Sequence, residues 1–520
     1  MRAALLPWIP RTLLLLLVLL QSACTTLGPD HQEPKVAWLE SWKSSLYGQA
    51  ITPAERNDAD LRFWWRLFND ETLNRLIETL RQENLSLRIA GLRILESRAQ
   101  LGIADSTRYP QLQQLGGAVT YVNSRDRGGA LPNSRQSFVS YQAGFNLAWE
   151  LDFWGRFRRG IESADAAYFA SISNQQEVQV LLVALTADLY FTYLTTRHRI
   201  DIARKNAQIQ KRSLDITEQL FNQGQGSELD LQQAKTQYLA TLATIPDLEV
   251  ALAKTRNALA TLLGRPPGEL PELQSDTREL PQLDSLLIET IPSRRLLQRP
   301  DVRTAAWQVA VQSAQIGIAE ADFYPSINLL GSLGWSGNSI NGSADNTLLS
   351  LGPSLTWNLF DHGRIGNNVR VQDARLQQLI EQYQETVLQA AREIDDAAYT
   401  VVKTKQQQQL LRASVVAAER SLEIANTRYR EGYSSFQRVL DAQRAVATQA
   451  DRELANQGGH LSAVIALYKA LGGGWLETPI GDLIPASVRN TMQRRSDWGD
   501  LLSAPLPTRQ TSATEPTPYE

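Results

Sequence analysis

The chain has 520 residues, 52 Lys plus Arg against 55 Asp plus Glu, a formal net charge of −3 and a single cysteine, Cys24. A near-balanced charge excludes a protein that holds nucleic acid through a basic surface. One cysteine excludes an internal disulfide framework and a cysteine-based metal centre. The histidines His31, His198, His362 and His460 lie at no ligand-like spacing, so neither a metal nor another cofactor is expected.

In chain order, the first element is a targeting segment. Arg2 and Arg11 supply positive charge, Leu13 to Leu20 form a short apolar run, and Ser22 and Ala23 precede Cys24. This is the layout of a cleaved secretory signal over residues 1–23. Cysteine at the cleavage point resembles a lipobox, which implies a diacylated Cys24 as first residue of the mature chain and as lipidation site. Gln21 stands where that pattern usually has Leu. No later run of about 18 consecutive apolar residues is found, so a membrane crossing has to be made by strands.

The mature chain is written twice. AQLGIADSTRYPQL begins at Ala99 and AQIGIAEADFYPSI at Ala314, an offset of 215. Further on the offset settles at 208, pairing Trp149 with Trp357, Gly155-Arg156 with Gly363-Arg364, and Gly224, Ala234 and Gly264 with Gly432, Ala442 and Gly472. Such self-similarity marks a tandem duplication. The expected organisation is an N-terminal lipid-anchored segment over 24–60, a first repeat over 61–285, a second over 286–475, and a tail over 476–520 whose Pro-, Thr- and Ser-rich end lacks the apolar residues to fold.

Each repeat opens with a helix closed by Tyr-Pro (Tyr109-Pro110, Tyr324-Pro325), because proline disfavours helix at the residue before it. Strands follow. From Val139 the odd positions read Val, Tyr, Ala, Phe, Leu, Trp, Leu, Phe and the even ones Ser, Gln, Gly, Asn, Ala, Glu, Asp. Leu349, Leu351, Leu355, Trp357 and Leu359 repeat that alternation. Period-two patterning of this length, around the Gly/Asn-rich loops Asn123–Gln136 and Gly337–Thr347, suits membrane strands of about 9–11 residues. Four strands cannot close on themselves. An open edge in lipid leaves each unpaired backbone group at a cost of several kcal/mol, so several chains are needed to make a barrel.

Long helices complete each repeat: Ile161–Phe221 then Ser227–Leu263, and Asn368–Arg430 then Ser435–Leu471. Leu231, Tyr238, Ile245, Leu252 and Leu259 fall seven apart, with Ala234, Thr241, Leu248, Thr255 and Leu262 three further on, as in a coiled coil. Leu440, Ala447, Leu454, Leu461 and Tyr468 form a sparser second seam. Pro246 is expected to bend or break its helix. Gly224 and Gly432 mark the helix–helix turns.

CTTLGPD at Cys24, FWWRLFNDETLNRLI at Phe63, RPDVRTAAW at Arg299, WELDFWGR at Trp149, WNLFDHGR at Trp357 and YREGYSSFQRVLDAQR at Tyr429 together resemble the TolC-like outer-membrane efflux family, in its NodT-type lipoprotein branch. The resemblance implies a mixed α+β membrane protein. It would be a homotrimer sharing a twelve-stranded β-barrel, four strands per chain, continuous with a long α-helical coiled-coil barrel in the periplasm. It further implies a lipid-anchored outer-membrane duct fed by a periplasmic adaptor and an inner-membrane pump of the RND type. In such ducts the helical tips close the periplasmic end. The matching gate and tip residues here are Asp230, Asp441, Arg438 and Tyr429, around the turn glycines Gly224 and Gly432. Asp230 and Arg438 occupy equivalent slots of the two repeats, and an Asp230–Arg438 link holding the tips shut is expected.

No phosphate-cradling glycine loop, nucleophile elbow or HExxH is present, so no catalytic residue and no enzymatic activity are expected. Asp361-His362 and Asp395-Asp396 read as solvated or interfacial pairs. The leading function is passive conduction of small molecules out of the cell. The alternatives are a duct for type I protein secretion and a non-conducting structural envelope lipoprotein.

Overall fold

A computed structural model of the chain describes residues 26–39, 59–125, 135–274, 279–283, 294–337 and 346–507. The signal segment, Cys24 and the end of the tail lie outside the described residues.

The duplication is visible in element lengths. A 22-residue helix, α2 (Leu85–Ser106), precedes strands β1 (Leu112–Arg125) and β2 (Arg135–Glu150). The 67-residue α3 (Arg156–Asn222) and 35-residue α4 (Glu228–Leu262) follow. The second repeat answers with α5 (Pro300–Ala321, 22 residues), β3 (Ser326–Gly337), β4 (Asn346–Thr356), α6 (Arg364–Arg430, 67) and α7 (Phe436–Ala470, 35). A 13-residue α1 (Glu71–Glu83) leads in and α8 (Ala486–Arg495) follows.

By contacts the chain forms two compact units, each drawing on both repeats. The first takes the N-terminal segment to Lys35 with residues 96–171 and 304–384. It holds the only sheet among the described residues, antiparallel throughout, in the order β1-β2-β3-β4. The register keeps residue parity across all four strands: Phe145 faces Leu333, and Leu333 faces Leu349. Even-numbered side chains therefore share one face and odd-numbered ones the other. The odd face carries exposed Leu115, Val119, Tyr121, Leu349, Leu351 and Leu355. The strands stop earlier than the alternation suggests: β4 ends at Thr356. Trp357 is instead tied by its indole N–H to the Phe323 carbonyl at 2.9 Å.

In the same unit Arg159, 4% exposed, fixes the segment after Cys24. Its guanidinium donates to the carbonyls of Leu27 (2.9 Å) and Gly28 (3.0 Å) and to Asp30 (2.8 Å) and Glu162 (2.7 Å). Gly28 lies at φ +82° directly over Gly317, where neither residue has room for a Cβ.

The second unit takes residues 36–95, 172–303 and 385–520. Helix α1 starts where the Asp70 carboxylate accepts from the N–H groups of Thr72 (2.8 Å) and Leu73 (3.0 Å), an N-cap. Its buried residues Leu73, Leu76, Ile77 and Leu80 follow helical spacing. Asp70 also accepts from the Tyr190 hydroxyl at 2.8 Å, and Trp64 stacks on Tyr468 with centroids 5.5 Å apart.

Helix α3 has one window apolar enough to cross a membrane, interrupted by polar residues, but 56% of that window is buried inside the chain. Val180, Val183, Ala184, Ala187, Tyr190, Phe191 and Leu194 are among the residues buried along this helix, so core packing accounts for its composition. Helix α4 runs through Pro246 without a break. The proline sits on the exposed face, where water can take up the carbonyl its missing N–H leaves unpaired.

Candidate functional site: the paired helical tips

Both helix–helix turns are built alike. Gly224 (φ +71°) and Gly432 (φ +78°) occupy the left-handed region, which costs glycine no steric penalty. The next amides close back on the preceding helix, Gln225 N–H to Leu220 C=O at 2.8 Å and Tyr433 N–H to Arg428 C=O at 2.9 Å. These bonds satisfy orphaned carbonyls at the helix C-terminus.

The tips lean on one apolar cluster. Leu214, Ala234, Phe436, Val439 and Leu440 are buried, with Leu231, Tyr238, Leu422, Ala425 and Tyr429 against them. Polar links add register between the hairpins. Gln443 donates to the Ser213 hydroxyl at 2.7 Å, and Arg199 grips Asp451 through two bonds of 2.7 and 3.0 Å. Gly458 of α7 packs so closely on Thr195 of α3 that a Cβ would collide with its side chain.

The expected gate residues are only partly brought together. Tyr429 packs on Phe436 with centroids 5.3 Å apart. Burial, and then the nearby Asp230 carboxylate, push its phenol above its ordinary value. Asp230 is half-buried, and its amide donates to the Ser227 hydroxyl at 3.1 Å. Asp441 accepts from Gln437 at 3.0 Å and from Arg444 at 3.4 Å. Arg438 lies exposed on the first turn of α7. Within one chain, among the described residues, no hydrogen bond or ion pair joins it to Asp230. The two occupy matching places on separate hairpins of the chain.

Sequence reasoning missed the Arg199–Asp451 pair, which joins helices of different repeats 252 residues apart. It also missed the Arg159 clamp, whose one signal was the glycine of the LGPD stretch.

Two long hairpins and a four-stranded sheet with one apolar face can now be set beside known proteins. A family model described as outer membrane efflux protein matches residues 76–265 and 291–473. The chain belongs to the outer membrane efflux protein family. Over 462 residues it is 30% identical to "Probable outer membrane lipoprotein SilC" of Salmonella typhimurium, covering 88% of this chain and 98% of that one. It is 29% identical to "Pyoverdine export outer membrane protein OpmQ" of Pseudomonas aeruginosa, covering 87% and 96%. Among solved structures, the outer-membrane channel OprN superposes with a TM-score of 0.76 at 31% identity over 86% of this chain and 99% of that one. CusC gives 0.75 at 28% over 86% and 100%.

The fold class is thus that of the trimeric outer-membrane channels, with four strands per chain in a twelve-stranded barrel, a coiled-coil helical barrel and an internal duplication. The protein is an outer-membrane component of an efflux system. The outer membrane, expected from the sequence, is the location its relatives' names give, and one of them, SilC, is named a lipoprotein. The family is one of channels.

Proposed function

We propose that three copies of this chain form a passive, water-filled duct for small molecules. A periplasmic adaptor seated on the helical tips and an inner-membrane pump of the RND type would feed it. The observation that carries this reading is the four-stranded sheet with one apolar face and two outer strands, β1 and β4, without a further strand beside them among the described residues. In lipid those edges need partners. Because β1 and β4 run antiparallel, the β4 edge of one copy can take the β1 edge of the next. The first-repeat seam residues Leu231, Tyr238, Ile245 and Leu252 stay half-exposed in the single chain, which suits a further helix packed against them. Diacylation of Cys24 anchors the mature N-terminus, and the repeats span 61–285 and 286–475.

At the tips, Asp230 of one copy meets Arg438 of a neighbour and, with Asp441 and Tyr429, narrows the bore. Reconstitution in planar bilayers tests both parts. The wild-type protein is expected to give small, uniform conductance steps, and the Asp230→Ala/Arg438→Ala variant steps several-fold larger. A wild-type protein that inserts without conducting overturns the duct, and unchanged steps in the double variant overturn the gate.

A further inference from the structure

The four strands contain 53 residues, of which Arg125, Arg135 and Glu150 alone are charged at neutral pH. The register sorts these three. Arg125 and Arg135 are cross-strand partners at odd register positions. Glu150 alone falls on the even face. That face is otherwise dominated by small or uncharged side chains. One cross-strand row reads Gly116, Gly144 and Gly334 on three of its four strands. The row at the foot of the sheet reads Glu150, Asn328 and Ser354.

The charges at that foot are largely compensated. Arg156 pairs with Asp322 at 3.1 Å and Arg158 with Asp152 at 3.5 Å. The Asp152 carboxylate also accepts from the amides of Phe157 and Arg158. Glu150 lines the same small cavity of about 80 Å³ as Asp152, Arg156 and Asp322. Among the described residues its carboxylate has no hydrogen bond or ion pair; only its backbone is engaged, with Gln111. One uncompensated negative charge per chain is left on an otherwise neutral polar wall.

In a twelve-stranded barrel the apolar odd face meets lipid and the even face meets the bore. We propose that Glu150, three times over, sets the ion preference of the strand-lined part of the bore: it admits cations and neutral polar solutes and holds back anions. This rests on the duct reading given above. Three like charges around a narrow aqueous path, framed by low-dielectric walls, give a local potential of several kT. The register places Arg125 and Arg135 at odd positions, off the row that holds Glu150.

The test is the cation-over-anion permeability ratio of the trimer in a planar bilayer under a KCl gradient. Measurements are made in the wild-type chain and in the Asp230→Ala/Arg438→Ala background, so that the tips do not mask the barrel. The ratio is expected to lie about two- to fivefold above one. Glu150→Gln brings it towards one, and Glu150→Lys inverts it. Adding Asn328→Asp to Glu150→Gln moves the charge one strand along the same row and restores the ratio, which a merely structural role for Glu150 does not predict. Trimer migration on an unheated gel checks assembly in each case. A ratio that stays at the wild-type value in Glu150→Gln overturns the proposal, as does failure of Asn328→Asp to restore it in an assembled, conducting trimer. Absence of any conductance overturns the duct reading itself, and this proposal with it.

Discussion

At the first tip the chain reads Ser227, Glu228, Leu229, Asp230, Leu231; at the matching places of the second it reads Ser435, Phe436, Gln437, Arg438, Val439. The backbone turn is the same, yet the chemistry is opposed. Residues 216–232 carry Glu218, Glu228 and Asp230 and no basic residue, a charge of −3. The equal window 424–440 carries Arg428, Arg430 and Arg438 against Glu431, a charge of +2. At the first tip two carboxylates sit at the positive end of the α4 dipole, and Ser227 caps it. At the second Arg438 occupies the same end of α7, and Ser435 makes no side-chain cap. Acidic groups at a helix N-terminus stabilise it and basic ones oppose it. The first tip is held by local helix chemistry. The second is held by burying Phe436 where the first exposes Glu228. A turn can keep its geometry while its stabilisation moves from one physical source to another.

That contrast can be broken most forcefully at Phe436. Phe436→Ala is expected to destabilise the second tip by about 3–5 kcal/mol, the usual cost of emptying a buried aromatic site. Glu228→Ala is expected to change the first by only about 0.3–1 kcal/mol, the worth of one carboxylate at a helix N-terminus. Hydrogen exchange of the tip amides reads both, and equal losses would end the distinction. Next comes the cap. Ser227→Ala is expected to cost about 1 kcal/mol of local helix stability, with Ser435→Ala near zero. Smaller again, Arg438→Glu is expected to gain about 0.3–1 kcal/mol at the start of α7 by reversing an unfavourable charge–dipole pairing. Protease resistance of the second turn follows the gain.

Smallest is a pH effect confined to the second tip. Tyr429 is held in its neutral form by burial and by Asp230, whereas Phe221, in the matching place, cannot ionise. A raised folded-state value means its contribution is complete below the ordinary phenol value of about 10. That contribution is lost as pH rises through the raised value. Amide protection at the second tip is therefore expected to fall at alkaline pH, more than at the first. Tyr429→Phe removes the difference.

Much of this was legible in sequence because periodicity and repetition are local records of backbone geometry. The alternation from Val139, the paired Tyr-Pro boundaries and the equal spacing of Gly224 with Gly264 and Gly432 with Gly472 each report one element. What stayed hidden depends on which helix lies beside which. Of the sparser heptad seam, Leu440, Leu454, Leu461 and Tyr468 are buried and Ala447 is half-buried, because α7 also packs on α3. The fuller seam of α4 is only half covered in the single chain. Asp230 and Arg438 could be placed beside the two turns from the repeat alone, but which side chains they meet follows only from the packing. Glu150 was visible as an acidic residue on an even position. Its isolation emerged only when the register put all four strands on a common parity.

The paired helices have the same lengths in both repeats, 67 and 67, 35 and 35. One residue inserted into either long helix would turn everything beyond it by about 100° and shift it by about 1.5 Å. Arg199 would leave Asp451, and Thr195 would no longer meet the bare backbone of Gly458. Since the duplication, these helices have therefore been free to exchange residues but not to gain or lose them. An acidic tip and a basic tip could descend from one ancestral turn by substitution alone, while the count of residues between Gly155 and Gly264, and between Gly363 and Gly472, has been inherited unchanged.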